Sequence, residues 1–268
     1  MKIAYYHTKP FPESYPGLDA QFGILKEGKV ELYDIDDGLQ AGTDMLLSIG
    51  GDGTFLSAVS LVAGKDVPVA GVNFGRVGFL SDIRVDRLAD VVLGGKNRIE
   101  EMEMLELSSD AVPKDFGLLA VNEVAVHRTG AGMLGISVEI NGLSLPTYWA
   151  DGLLVSTGAG STAYSLSVGG PVCLPEAGAF LVTPIAPHNL NVRPLVVPSD
   201  SCLTITPIDR EDVTLSVDNR NVVLKAGTPI MVRKAPFRLK RVKAEDSNFI
   251  QALKDKLFWG EDLRNRQL

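Results

Sequence analysis

The chain alternates between short apolar runs and stretches of mixed polarity, and the texture of that alternation changes once. Through the first part, "KIAYY", "KVELYDI", "DMLLSIG" and "PVAGVNF" are β-rich runs separated by segments that suit helices. Strands alternating with helices predict a parallel sheet with helices packed on it. After about residue 100 the runs crowd together: "LLAVNEVAVHR", "GISVEINGLSLPTYWADGLLVSTG", "LVVPSDSCLTITPI", "DVTLSVDNRNVVL" and "TPIMVRKA" are divided by turn residues. Asn141-Gly142, between two apolar runs, predicts a hairpin turn. This second part reads as a mostly antiparallel β domain. The tail turns helical again, with Phe249, Leu253 and Leu257 on one stripe and Lys254 and Lys256 off it. A helix in that place is expected to return to the first domain.

One junction departs from an ordinary strand-to-helix turn. "MLLSIG" is apolar enough for a buried strand, and "TFLSAVSLVA" places Phe55, Val59 and Val62 on one helical face. Gly50, Gly51 and Gly53 fall between them. Without Cβ atoms they can take positive φ and let a ligand come close to the amides. Those amides, backed by a helix N-terminus, suit phosphate oxygens. Asp52 stands among them although a carboxylate repels phosphate. Three reasons are open: holding Mg²⁺, accepting a proton from a hydroxyl, or capping the helix. The pattern is neither a dinucleotide Gly-x-Gly-x-x-Gly loop nor a Walker loop.

Composition narrows the classes. In 268 residues, 45% hydrophobic and 22% charged content is that of an ordinary folded protein. A formal net charge of −7 argues against a nucleic-acid binder that depends on a basic field. The chain has no run of about 18 apolar residues and no apolar leader, so a soluble cytoplasmic protein without a membrane role is expected. Cys173 and Cys202 share no metal-ligand spacing and are expected to be buried free thiols. His7, His127 and His188 are isolated, which favours structural or surface roles. Ser161 lacks a Gly-x-Ser-x-Gly elbow, so a hydrolase is not suggested.

The motifs, taken in order, carry a resemblance. "GGDGTFL" is similar to the phosphate-binding motif shared by NAD kinases, diacylglycerol and sphingosine kinases and, more distantly, phosphofructokinases. "GVNFGRVGFL" (71–80), "VNEVAVHR" (121–128), "ADGLLVSTGAGSTAYSLSVGGP" (150–171) and "TPIAPHNLNVRPLVVP" (183–198) resemble successive NAD kinase segments, as does the terminal "LFWG". Pattern and resemblance together predict a Rossmann-like α/β domain over 1–104, a β-sandwich-like domain over 105–245, and a helix over 246–268 packing back on the first domain.

The resemblance implies ATP-dependent phosphorylation of the 2′-hydroxyl of the adenosine ribose of NAD. Asp52 would orient that hydroxyl and accept its proton, with Gly50, Gly51, Gly53, Thr54 and Phe74 binding substrate or nucleotide. Asn122 and Glu123 would hydrogen-bond ribose hydroxyls, and Asp151 would accept from a carboxamide or amino group. Thr162, Ala163, Tyr164 and Ser167 would line the adenine site, with Ala186 and "SVDNR" nearby and Ser161 or Thr162 capping a helix. The active site would lie in the cleft between the domains. Mg²⁺ would be held largely by nucleotide phosphates, with no protein ligand named, and the protein would be a homodimer or homotetramer. Trp149, Arg220 and "TGAG" (157–160) depart from the common pattern. A lipid kinase and a non-catalytic NAD(P)-binding module are the alternatives.

Overall fold

The computed structural model describes all residues except 12, 76–77, 209–210 and 261–268. The chain divides into two compact units, Met1–Glu100 with the chain from Lys240 onward, and Glu101–Leu239.

The first unit is built on parallel pairing. Its first strands and helices are β1 (Lys2–His7), α1 (Leu18–Glu27), β2 (Glu31–Asp34), β3 (Met45–Ile49), α2 (Asp52–Val62) and β4 (Val69–Asn73). Short β5 (Ile83–Arg84), α3 (Leu88–Leu93) and β6 (Asn97–Met102) follow. β3 and β4 are buried at every position, as expected of strands covered on both faces. α1 turns Leu18, Phe22 and Leu25 inward, and α2 turns Phe55, Ala58, Val59 and Val62 inward.

The second unit carries β7 (Leu105–Ser108), β8 (Leu119–Ala120), β9 (Glu123–Arg128), β10 (Leu134–Ile140), β11 (Leu143–Ser144), β12 (Tyr148–Ala150) and β13 (Gly152–Ser156). After a one-turn helix, α4 (Tyr164–Ser167), come β14 (Ala179–Ile185), β15 (Leu195–Pro198), β16 (Leu203–Pro207), β17 (Val213–Val217), β18 (Arg220–Leu224) and β19 (Ile230–Lys234). They form two sheets, β11-β10-β16-β19-β7-β8 with β12 on β10, and β15-β14-β13-β9-β17-β18. The pairs are antiparallel, and one apolar cluster includes Val124, Val126, Leu153 and Val155 from one sheet with Ile136, Val138, Leu203 and Ile205 from the other. That is the β-sandwich expected from pattern and resemblance together. Asn141 and Gly142 both take positive φ, 52° and 79°, and close the β10–β11 hairpin with Ile140 opposite Leu143.

The chain returns to the first unit in β20 (Leu239–Ala244), before the helix α5 (Phe249–Leu257). β20 pairs parallel with β4 and lies between β4 and β6, so the first sheet reads β2-β1-β3-β4-β20-β6 with β5 on β4. A boundary at residue 245 therefore falls too late. "LKRVKA" resembles the β-rich runs before it, and only its long-range pairing separates it from them. Arg241 and Lys243, one strand repeat apart on β20, are buried with Glu100: Arg241 Nη1 lies 3.0 Å and Lys243 Nζ 2.9 Å from its carboxylate. Arg241 Nη2 also reaches Asp82 at 3.1 Å.

Among the described residues no helix is long and apolar enough to cross a membrane. Both cysteines are free, as expected, but only partly buried.

Candidate active site

The glycine-rich turn leaves β3, which lies between β1 and β4. From β1 the chain passes to β2 on one side and then crosses to β3 on the other, so the carboxyl ends of β1 and β3 flank a topological switch point. Open parallel sheets bind ligands there. Gly50 has φ +150°, and a Cβ on it would come within 2.4 Å of Thr54 Oγ1, so the turn itself demands glycine. Gly51 and Gly53 differ. Among the described residues, and leaving aside their chain neighbours and the backbone of α2, no atom lies within 4 Å of where their Cβ atoms would stand, and Gly51 has an ordinary negative φ. Packing among the described residues does not call for glycine at either position, whereas a ligand pressing on the backbone would. α2 begins here for eleven residues with no side chain capping its N-terminus, which suits an anion. Thr54 is half-buried, its hydroxyl 3.5 Å from that of Thr8 just beyond β1.

Asp52 has a role that the sequence does not reveal. It is the first residue of α2, yet its carboxylate caps a different segment. Oδ2 accepts from the amide of Phe79 at 2.8 Å, and Oδ1 accepts from Leu80 at 3.1 Å and Ser81 at 2.8 Å. A carboxylate offers about four lone-pair positions, and three are spent on these amides. The remaining one belongs to Oδ2. Gly78 makes the approach possible, because a Cβ there would sit 1.8 Å from Asp52 Oδ1. Arg76 and Val77 of the same motif lie outside the described residues. Phe74 packs on Tyr15 with ring centroids 5.1 Å apart and joins the core below the turn.

The second unit assembles a separate constellation. Asn122 and Glu123, at the start of β9, are both buried, against the exposed position that a polar strand start would normally take. Asp218 takes the amides of Val121, Asn122 and Glu123 at 2.8, 2.8 and 3.2 Å, the same three-amide clamp that Asp52 makes in the first unit. Burial, helped by the charge of Asp218, pushes the Glu123 carboxyl up to about 8, although the Tyr164 amide opposes the shift. Glu123 Oε2 is buried and has no hydrogen-bond partner among the described residues.

Tyr164 stacks on His127 at 5.7 Å and 25°, and burial followed by the charges of Glu123 and Asp151 raises its phenol. Burial lowers the His127 imidazole, so that ring favours its neutral form. Asp151 already has a partner: Arg128 Nε and Nη2 donate to its two oxygens at 2.7 and 3.2 Å. Any acceptor role toward a ligand is shared with that fork.

Thr162 and Ser161 do not cap a helix. Their segment is a 3₁₀ turn over Ala159–Thr162, and α4 after it is one turn long with Ala163 at its N-cap. Thr162 donates to the Ala159 carbonyl at 3.3 Å, and Ser161 Oγ both donates to and accepts from the Cys173 backbone at 3.0 Å. The hydroxyls are absorbed by the tight turns around them. Ser167 is exposed on α4, and Ala186, just after β14, is exposed with φ +46°.

Comparison with known proteins places both halves. A family model for the ATP-NAD kinase N-terminal domain matches residues 15–93, and the model for the C-terminal domain matches residues 121–244. A Flavobacterium psychrophilum NAD kinase is 40% identical over 234 residues, covering 85% of this chain and 80% of that protein. A Porphyromonas gingivalis NAD kinase is 37% identical over 288 residues, covering 98% and 99%. The chain belongs to the NAD kinase family. Among solved structures, an Archaeoglobus fulgidus NAD kinase in complex with ATP superposes with a TM-score of 0.76 at 26% identity, covering 91% of this chain and 94% of that one. A yeast NADH kinase complexed with NADH shares the fold, with a TM-score of 0.84 at 24% identity over 99% and 90% of the two chains. These matches do not favour a lipid kinase or a non-catalytic module.

Within this NAD kinase fold, Arg220, a departure from the usual pattern, is a brace. Its guanidinium donates to the carbonyls of Phe116 at 3.3 Å and Leu119 at 2.6 Å and lies over the Phe116 ring. Trp149 is exposed on β12. Arg128 and His127, beside Asp151 and Tyr164, are the neighbours that sequence reasoning missed, and Asp218 was reached only as part of "SVDNR". Asp218 had a signal, since an Asp-Asn pair between two β runs is a turn and its aspartate can reach backbone amides. Among the described residues, no group of three or more His, Cys, Asp and Glu side chains is placed to hold a metal.

Proposed function

We propose that this enzyme transfers the γ-phosphoryl group of Mg-ATP to the 2′-hydroxyl of the adenosine ribose of NAD, giving NADP. The observation that carries the chemistry is the Asp52 clamp, which leaves one lone-pair position on Oδ2 at an open glycine-rich helix N-terminus. Gly51, Gly53 and the first amides of α2 receive donor phosphate oxygens. Asp52 Oδ2 accepts the hydroxyl proton as the oxygen attacks, which suits a loose transition state in which positioning and charge neutralisation dominate. Divalent metal enters as part of the donor, bound by its phosphates.

In the second unit, Asn122 and Glu123 hold ribose hydroxyls, and the buried, unpartnered Oε2 of Glu123 is the atom that a diol would satisfy. With its carboxyl pushed up to about 8, Glu123 is largely protonated at neutral pH and can donate one bond and accept others. Tyr164, stacked on His127, offers an aromatic surface to the adenine, with Thr162, Ala163 and Ser167 beside it. Ala186 borders the same pocket, and Asp151 orients its polar edge through Arg128. The enzyme works in the cytoplasm as a homodimer or homotetramer, and light scattering giving a fully active monomer would contradict that assembly.

The test is NADP formation from NAD and Mg-ATP, with diacylglycerol as the competing acceptor. Phosphorylation of the lipid alone would reject the reading. Asp52→Asn should keep NAD binding within a few-fold while lowering turnover by about 10²–10⁴. Equal turnover in the two proteins would remove Asp52 from the chemistry.

A further inference from the structure

A carboxylate in a phosphate-binding turn needs a counter-charge, and the first unit contains one that the reaction above does not use. Lys256 lies on α5, with its ammonium 4.0 Å from the centroid of the Phe79 ring. Phe249, two turns earlier on the same helix, packs against that ring at 5.9 Å. Phe79 is also the residue whose amide donates to Asp52 Oδ2. Lys256 Nζ is buried and has no hydrogen-bond partner among the described residues. A buried ammonium held only by an aromatic face is costly unless charge compensates it.

Other charged groups act on the same region. Arg241 and Lys243 share Glu100, and Arg241 also bridges to Asp82. Two cations thus serve two carboxylates. Burial works to raise the Glu100 carboxyl, but its Lys243 hydrogen bond and the Arg241 charge hold it low, so that group stays ionised. The carboxylates felt by Lys256 are Asp52, Asp82 and Asp255. Asp82 lies 3.1 Å from Arg241 Nη2, and Asp255 is exposed on α5. Asp52 acts on the ammonium more strongly than either of them, and Phe79 touches both groups, with its ring under Lys256 and its amide on Asp52.

We propose that Lys256 is the counter-cation of Asp52, a positioning residue that lets a carboxylate stay in the phosphate turn when the donor triphosphate arrives. It acts along the chain of contacts Lys256–Phe79–Asp52, steadying the amide that holds Oδ2 and offsetting the repulsion between carboxylate and phosphate. Burial pushes the ammonium down to about 8; Asp52, Asp82 and Asp255 oppose that shift, and Arg241 adds to it. The cation is therefore present below that pH and lost above it. Donor affinity becomes a report on its charge.

This inference rests on the assignment of the donor site, so its test separates the two. Mg-ATP binding is measured by calorimetry at about pH 7 and about pH 9.5 for the wild type, Lys256→Met and Lys256→Arg, beside NADP formation at the lower pH. Wild-type affinity should fall by about tenfold between the two conditions as the lysine discharges. Lys256→Arg, which stays charged, should bind at the higher pH as it does at the lower. Lys256→Met should bind weakly at both. A wild type that makes no NADP yet shows this binding pattern would sink the reaction and spare the counter-cation. Active wild type and variants with one shared pH dependence of binding would sink the counter-cation alone. If Lys256→Met melts early, the Arg variant still decides, because an unchanged fall in its affinity overturns the proposal.

Discussion

Asp218 accepts the backbone amide of Glu123 on its Oδ1 at 3.2 Å, and its charge then helps burial push the side chain of that same residue up to about 8. One residue thus holds the backbone at the start of β9 and adds to the effect of burial on the Glu123 carboxyl.

That coupling makes stability depend on pH in a direction opposite to the usual carboxylate. The folded-state value of about 8 stands above the ordinary 4.5, so between them the native chain holds a proton that the unfolded chain has released. Stability is then highest below about 4.5 as far as this group is concerned, and falls as pH rises toward 8. Glu123→Gln keeps a neutral hydrogen-bonding side chain and should flatten this fall. Thermal melts from about pH 5 to about pH 9 check it: parallel curves for the two proteins would show that Glu123 is not the group responsible.

Asp218 itself serves three amides, and removing it leaves all of them without their acceptor. Asp218→Ala should destabilise the second unit by about 3 kcal/mol or more. NAD affinity should fall with it, since the clamped residues 121–123 include Asn122 and Glu123, the proposed ribose ligands. A denaturant midpoint unchanged from wild type would mean that water replaces the carboxylate without loss.

Gly78→Ala tests the other clamp without touching Asp52. The new methyl group would lie 1.8 Å from Asp52 Oδ1, so the carboxylate or the 78–81 segment must move. A displacement of about 1 Å at the reacting group lowers turnover by about 10²-fold. Gly78→Ala should therefore lose turnover well beyond any loss of Mg-ATP affinity. Wild-type turnover in this variant would show that Asp52 does not need its amide cradle.

Much of this enzyme can be read from local pattern. Apolar runs of strand length alternating with amphipathic segments specify a parallel sheet with helices, and Asn141-Gly142 specifies a hairpin, because backbone sterics and side-chain period act over a few residues. The strand–glycine–helix order around Asp52 likewise marks a turn suited to phosphate, since glycine and helix dipole are local devices. What local pattern leaves open are partnerships between distant residues. That Asp52 clamps 79–81, that Asp218 clamps 121–123, that β20 inserts beside β4 and that Lys256 lies over Phe79 depend on loop closures spanning tens of residues or more. A carboxylate or ammonium has the same chemistry wherever it stands in a sequence; burial and neighbours decide its charge and its free lone pairs, and only packing in three dimensions supplies those.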